Sequence, residues 1–120
     1  MKIFSLLALF LSTQAFAGTF RADSAVPTEL QAKIEAAVRA RCLGGLYGLQ
    51  EEQTVVTEKR VDQDRDLYFR TFLKASYLFD GTHPVGADLV VESAAYAISN
   101  PSVEKYEVLS VRSFSQGVCQ

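Results

Sequence analysis

Three aspartates at alternate positions, Asp62, Asp64 and Asp66, open the pattern of a calcium loop, in which oxygens spaced two residues apart converge on a hard cation. The pattern stops there. Its sixth position is Leu67, where the sharp turn needs Gly, and its twelfth is Leu73, where a bidentate Glu belongs. The trio reads instead as the solvated tip of a hairpin, and no metal site is expected. His83 is the chain's single histidine. With Asp80 and Asp88 nearby in sequence it supplies the makings of a general base, and a small secreted enzyme using a pocket near His83 stands as one alternative. Gly44, Gly45 and Gly48 lack the spacing of a phosphate cradle and follow a helix rather than opening one. No serine sits in a nucleophile elbow. The chain offers no catalytic constellation and implies no cofactor.

Cys42 and Cys119 are the only cysteines, and the N-terminus says where they would meet. Lys2 precedes the apolar run Ile3 to Leu11, and Ala15-Phe16-Ala17 provides the small-x-small pattern of a cleavage site. Residues 1–17 therefore read as a signal peptide and 18–120 as one exported α+β domain, periplasmic or secreted. The apolar run is too short to span a bilayer, so no membrane association is expected after cleavage. In an oxidising compartment the two cysteines read as a disulfide. The formal net charge of −2 becomes one unit more negative once Lys2 is removed, and no long charge run is present. That balance argues against a nucleic-acid partner or an anionic-membrane patch.

The elements that would position these residues begin after a polar lead-in, Gly18 to Val26, expected to lack fixed structure. Pro27 and Thr28 mark a helix start, with Thr28 and Gln31 as a T-x-x-Q capping box. Leu30, Ile34, Val38 and Cys42 recur at four-residue steps, giving an amphipathic helix of about fifteen residues. Arg39 and Arg41 suit its C-terminal dipole, and Gly44-Gly45 stops it. Cys42 shares the apolar stripe, so its sulfur should face the sheet and the returning tail.

Asp66 to Asp80, DLYFRTFLKASYLFD, is the segment the rest is built to meet. Leu67, Phe69, Thr71, Leu73, Ala75, Tyr77 and Phe79 alternate with Tyr68, Arg70, Phe72, Lys74, Ser76 and Leu78, the two-residue period of a long strand with one core face and one half-wet face. Gln53 to Val61, Leu89 to Ile98 and Val103 to Phe114 read as three further strands. Thr82 to Asp88 reads as a loop, since Pro84 and Gly86 sit poorly inside a ladder. Short connections favour an antiparallel meander, so the fold class is α+β, one N-terminal helix packed on a four-stranded antiparallel sheet.

The second face of that sheet is where a binding function is expected. Tyr68, Arg70 and Phe72 would share it with Tyr96 and Ile98 from the third strand and with Tyr106, Arg112 and Phe114 from the fourth. Exposed aromatics mixed with arginine are what recognition surfaces use. The partner would be an unknown protein or small ligand, with a homodimer through the same face as the competing use.

This element order is similar to the cystatin-like architecture, shared by cysteine-protease inhibitors and by the domains related to nuclear transport factor 2. The resemblance covers Thr28 to Phe114. It implies a helix cradled by a meander and, for the inhibitors, a Q-x-V-x-G hairpin that enters the protease cleft. Gln53-Thr54-Val55-Val56-Thr57 stands nearest to that hairpin, with Thr57 in place of Gly, and the chain has no Trp for the family's Pro-Trp pair. A cystatin-type inhibitor is thus the other alternative to a non-catalytic binding domain.

Overall fold

A computed structural model of the protein describes residues 19–97, 104–115 and 117–119. The expected signal segment, Ile98, the Asn100-Pro101 break and the expected start of the last strand at Val103 lie outside the described residues. The order of elements is α1 (Thr28–Arg41), β1 (Tyr47–Val61), β2 (Asp64–Phe79), β3 (His83–Ala95) and β4 (Tyr106–Ser113). The strands form one sheet in the order β1-β2-β3-β4, every neighbouring pair antiparallel.

Helix α1 forms where its apolar stripe predicts. Leu30, Ile34 and Val38 have no exposed surface, Glu29 occupies the first turn, and Arg39 and Arg41 the last. The capping box does not form. Thr28 is already helical, Pro27 precedes it without a side-chain acceptor, and Gln31 reaches back to donate through Nε2 to the Val26 carbonyl at 2.8 Å. At the other end Cys42 leaves the helix in extended conformation and bonds to Cys119, while Leu43 N–H donates to the Val118 carbonyl. The expected disulfide therefore staples the end of α1 to the tail that follows β4.

Three strands start earlier than their sequence suggests, β2 at Asp64, inside the cluster expected to form the hairpin tip. β1 starts at Tyr47, because Gly48, at φ +64°, lets the chain bend at one of two register shifts and keep pairing. β3 starts at His83, with Pro84 opposite Leu78 and Gly86 opposite Ser76. Proline and glycine are tolerated there because β4 pairs with β3 only between Leu89 and Ala95, leaving the earlier part of β3 with a free edge. β3 also ends at Ala95, before Tyr96. Asp62 and Asp80, both left-handed, make the two hairpin turns, a conformation Asp tolerates.

Burial divides the sheet. Phe69, Thr71, Leu73 and Ala75 of β2 face inward with Ala87, Leu89, Val91, Ser93 and Ala95 of β3 and Val111 of β4. Helix α1 covers the β3–β4 half. The lead-in covers the β1 side, contrary to expectation. Val26 and Phe20 join the core, Thr19 is buried, and the Thr19 carbonyl accepts from Glu51 N–H at 3.4 Å. A meander sheet wider than one helix needs that second cover.

The cover is partly polar. Ser24 Oγ donates to Glu51 Oε2 at 3.0 Å, and Thr54 Oγ1 donates to the same oxygen. Thr54 and Thr71 hydroxyls lie 3.3 Å apart. Since a hydroxyl carries one proton, Thr54 spends its own on Glu51 and accepts from Thr71.

Candidate functional site: the open face of the sheet

Alternate residues of four strands point away from α1, and no described element covers them. β2 contributes Tyr68, Arg70, Phe72 and Lys74. Through the register Val55↔Arg70 and Thr57↔Tyr68, β1 adds Val55 and Thr57; through Arg70↔Glu92 and Val90↔Arg112, β3 and β4 add Glu92 and Arg112.

At the centre Glu92 stands between two arginines. Its Oε1 lies 3.0 Å from Arg112 and its Oε2 3.7 Å from Arg70. Two guanidinium groups against one carboxylate leave this patch with an excess positive charge, held in place across three strands. Around it Val55, Thr57, Tyr68, Phe72 and Leu109 line an open depression of about 240 Å³. A second depression of about 290 Å³ lies on the other side of Phe72, between Lys74, Asp88 and Phe114. Phe72 is the wall they share. Val55 and Leu109 are nearly half exposed and Phe114 is 68 % exposed.

Of the residues singled out in the sequence, Tyr68, Arg70 and Phe72 come together here. Tyr96 sits beyond the end of β3, where its hydroxyl donates to Glu107; that bond, with partial burial second, pushes its pKa up to about 12. Glu107 stands opposite Ala94, itself opposite Tyr68, so the Tyr96 hydroxyl lies at the Tyr68 end of the open face, outside both depressions. Tyr106 goes to the other face. A bulge between Glu92 and Ser93 places an extra residue in β4, so Arg112 stays outward while Tyr106, opposite Ala95, packs against the core. The same bulge turns Leu109 onto the open face, where sequence alternation gives no sign of it.

The remaining candidates separate. Asp62 lies in the β1–β2 turn, and Asp66 accepts the Ala97 N–H at 2.9 Å, anchoring the end of β3. No group of three metal-ligating side chains gathers among the described residues. His83 is at the β2–β3 hairpin, its Nδ1 3.1 Å from Asp80 Oδ1, in a side chain 74 % exposed. The Thr82 and His83 hydrogen bonds hold the Asp80 carboxyl below the usual carboxylate range. Asp88 falls on the opposite face of β3 from His83, so the two do not converge. Gln53 to Thr57 lie within β1, paired with Tyr68 to Phe72, and the turn of that hairpin is at Asp62-Gln63.

Fold and site define an α+β domain with one sheet face closed by a helix and the other open. No family model matches the chain, and neither a curated protein nor a solved structure does. Among the described residues no helix is long and apolar enough to cross a membrane.

Proposed function

We propose that residues 18–120 form an exported, non-catalytic interaction domain, periplasmic or secreted after removal of residues 1–17, that binds a protein partner across the open face of its sheet. The observation that carries this reading is the cluster of Tyr68, Arg70, Phe72, Val55 and Leu109 around the Arg70–Glu92–Arg112 bridge. Aromatic and arginine side chains anchored on rigid strands are the residues that dominate binding energy at protein interfaces. The partner is a protein rather than an enclosed small molecule, because both depressions are open hollows near the low end of the roughly 300–1,000 Å³ range of small-molecule sites. Two shallow hollows flanking one aromatic wall suit a pair of side chains from a partner surface. The disulfide is consistent with export, and the order of helix and meander is the element order of cystatin-like domains.

The experiment is site-directed photo-crosslinking in the expressing cell, with a benzophenone amino acid at Phe72 and, as control, at Ala32 on the exposed side of α1. Adducts of one defined mass at Phe72, absent at Ala32 and lost on Arg70→Glu, are expected. Equal labelling at both positions, or adducts at Phe72 only with a second copy of the chain, refutes a separate partner on this face.

A further inference from the structure

Strand β1 is an edge strand, and edges are ordinarily blunted by proline, bulges, inward charges or a covering segment. β1 has such protection over its first half and again at the charged Glu58-Lys59-Arg60, but not between Gln53 and Thr57. Its register shifts fall between Tyr47 and Gln53, and there the Thr19 carbonyl takes the Glu51 N–H. From Gln53 to Val61 the pairing with β2 is unbroken, residue for residue, so this half is straight and carries neither proline nor glycine. Its middle, Gln53-Thr54-Val55-Val56-Thr57, is uncharged and β-branched, the composition that best supports strand pairing. Val55 and Val56 are each 43 % exposed.

Charge then selects the occupant. Glu52 stands at one end of this stretch, on the open face beside Lys74, and Lys59 at the other end on the same face, so a strand of the same sequence laid antiparallel brings opposite signs together. Two copies joined edge to edge are related by a two-fold axis perpendicular to the sheet. Such an axis keeps both open faces on the same side and lets only residues of the same face stand opposite one another. With the axis at Val56, Val56 meets its own copy, Val55 meets Thr57, and Gln53 meets Lys59, with Glu52 on the same face beside that lysine. With the axis at Val55 or at Thr57, Lys59 meets the buried Glu51 or Val55 instead, and that charge pairing is lost.

We infer that a second copy of this chain docks antiparallel on the free edge of β1 over Gln53–Lys59, with Val56 on the two-fold axis, so that the two sheets become one continuous sheet. The inference goes beyond the proposed partner on the open face and uses a different surface. It sets the two open faces side by side, with Val55 and Thr57 of both copies at the seam.

Light scattering of the mature protein across its soluble concentration range tests it, and a mass that doubles with concentration is expected. Val56→Lys places two like charges on the axis, on a side chain already reaching water, and should return the mass to that of one chain with an unchanged circular dichroism spectrum. Val56→Cys should give a reducible covalent dimer under mild oxidation, because self-opposed residues of an antiparallel pair lie within disulfide reach. Leu109→Cys, on β4, should not. A single-chain mass at every concentration overturns the inference, as does a dimer that survives Val56→Lys or that Val56→Cys fails to trap. Should Val56→Lys not fold, the cysteine pair decides alone.

Discussion

Ser93 predicts an unusual sign. Its side chain has no exposed surface, lies on the core face opposite Phe69 and Val108, and its hydroxyl finds no hydrogen-bond partner among the described residues. A buried hydroxyl left unpaired costs about 1–3 kcal/mol of desolvation. Ser93→Ala removes that cost and gives up the contacts of a single oxygen, worth less than the ~1 kcal/mol of a methyl-sized void. The net expectation is a stabilisation of about 1 kcal/mol, or roughly 4–8 °C in melting temperature for a domain of this size. Urea denaturation should move to a higher midpoint at constant slope. Thr71→Val is the matching control, equally buried but with its hydroxyl donated to Thr54. It keeps the shape, deletes the bond, and should destabilise by about 0.5–1.5 kcal/mol. If Ser93→Ala lost 1 kcal/mol or more, the hydroxyl would have a partner and the reasoning would fail.

Two further expectations rest on other parts of the chain. Replacing both Cys42 and Cys119 with serine opens a closed loop of sequence separation 77, which the chain-entropy treatment values at up to about 4.5 kcal/mol; an unchanged denaturation midpoint in oxidised protein would contradict a stapling role. Glu35 is held above the usual carboxylate range by burial, against the lowering pull of Arg39 and a hydrogen bond with Thr19. The folded state therefore holds the Glu35 proton more tightly than the unfolded chain does, and stability should fall as pH rises from the unfolded pKa through the raised folded one. Glu35→Gln should flatten that part of the pH–stability curve, and an identical curve would remove Glu35 from the account.

What could be read from the chain alone follows from which signals are local. The stripe Leu30, Ile34, Val38 and the alternation across Phe69 to Ala75 are repeated many times over, so helix and central strand were legible. The hairpin of β1 and β2 was visible, but its two-residue turn, Asp62-Gln63, lay hidden in a charged cluster read whole as the tip, so the register that sets Val55 against Arg70 and Thr57 against Tyr68 was not. Leu109 and Tyr106 were not, because one inserted residue in β4 exchanges faces and a bulge leaves no mark on composition. Pro84 and Gly86 misled for a tertiary reason, since a strand with a vacant edge accepts residues that a flanked one would reject. The lead-in was misread because its cover of β1 depends on Thr19, Ser24 and Val26 meeting a surface distant in sequence.

The bond between Cys42 and Cys119 also partitions the molecule topologically. Backbone from 42 to 119 becomes a ring that contains every strand, while α1 and the lead-in hang outside it as an open arm. A proteolytic nick at either hairpin tip, Asp62-Gln63 or Asp80-Gly81-Thr82, would cut the ring once and leave all four strands in one covalent piece. The β2–β3 tip is where that matters most: beyond the reach of β1 and β4 it is a two-stranded ribbon with Leu78 and Phe79 about half exposed. Such ribbons open readily. An oxidised chain could be clipped there and still hold its sheet together, whereas the reduced chain would come apart into two fragments.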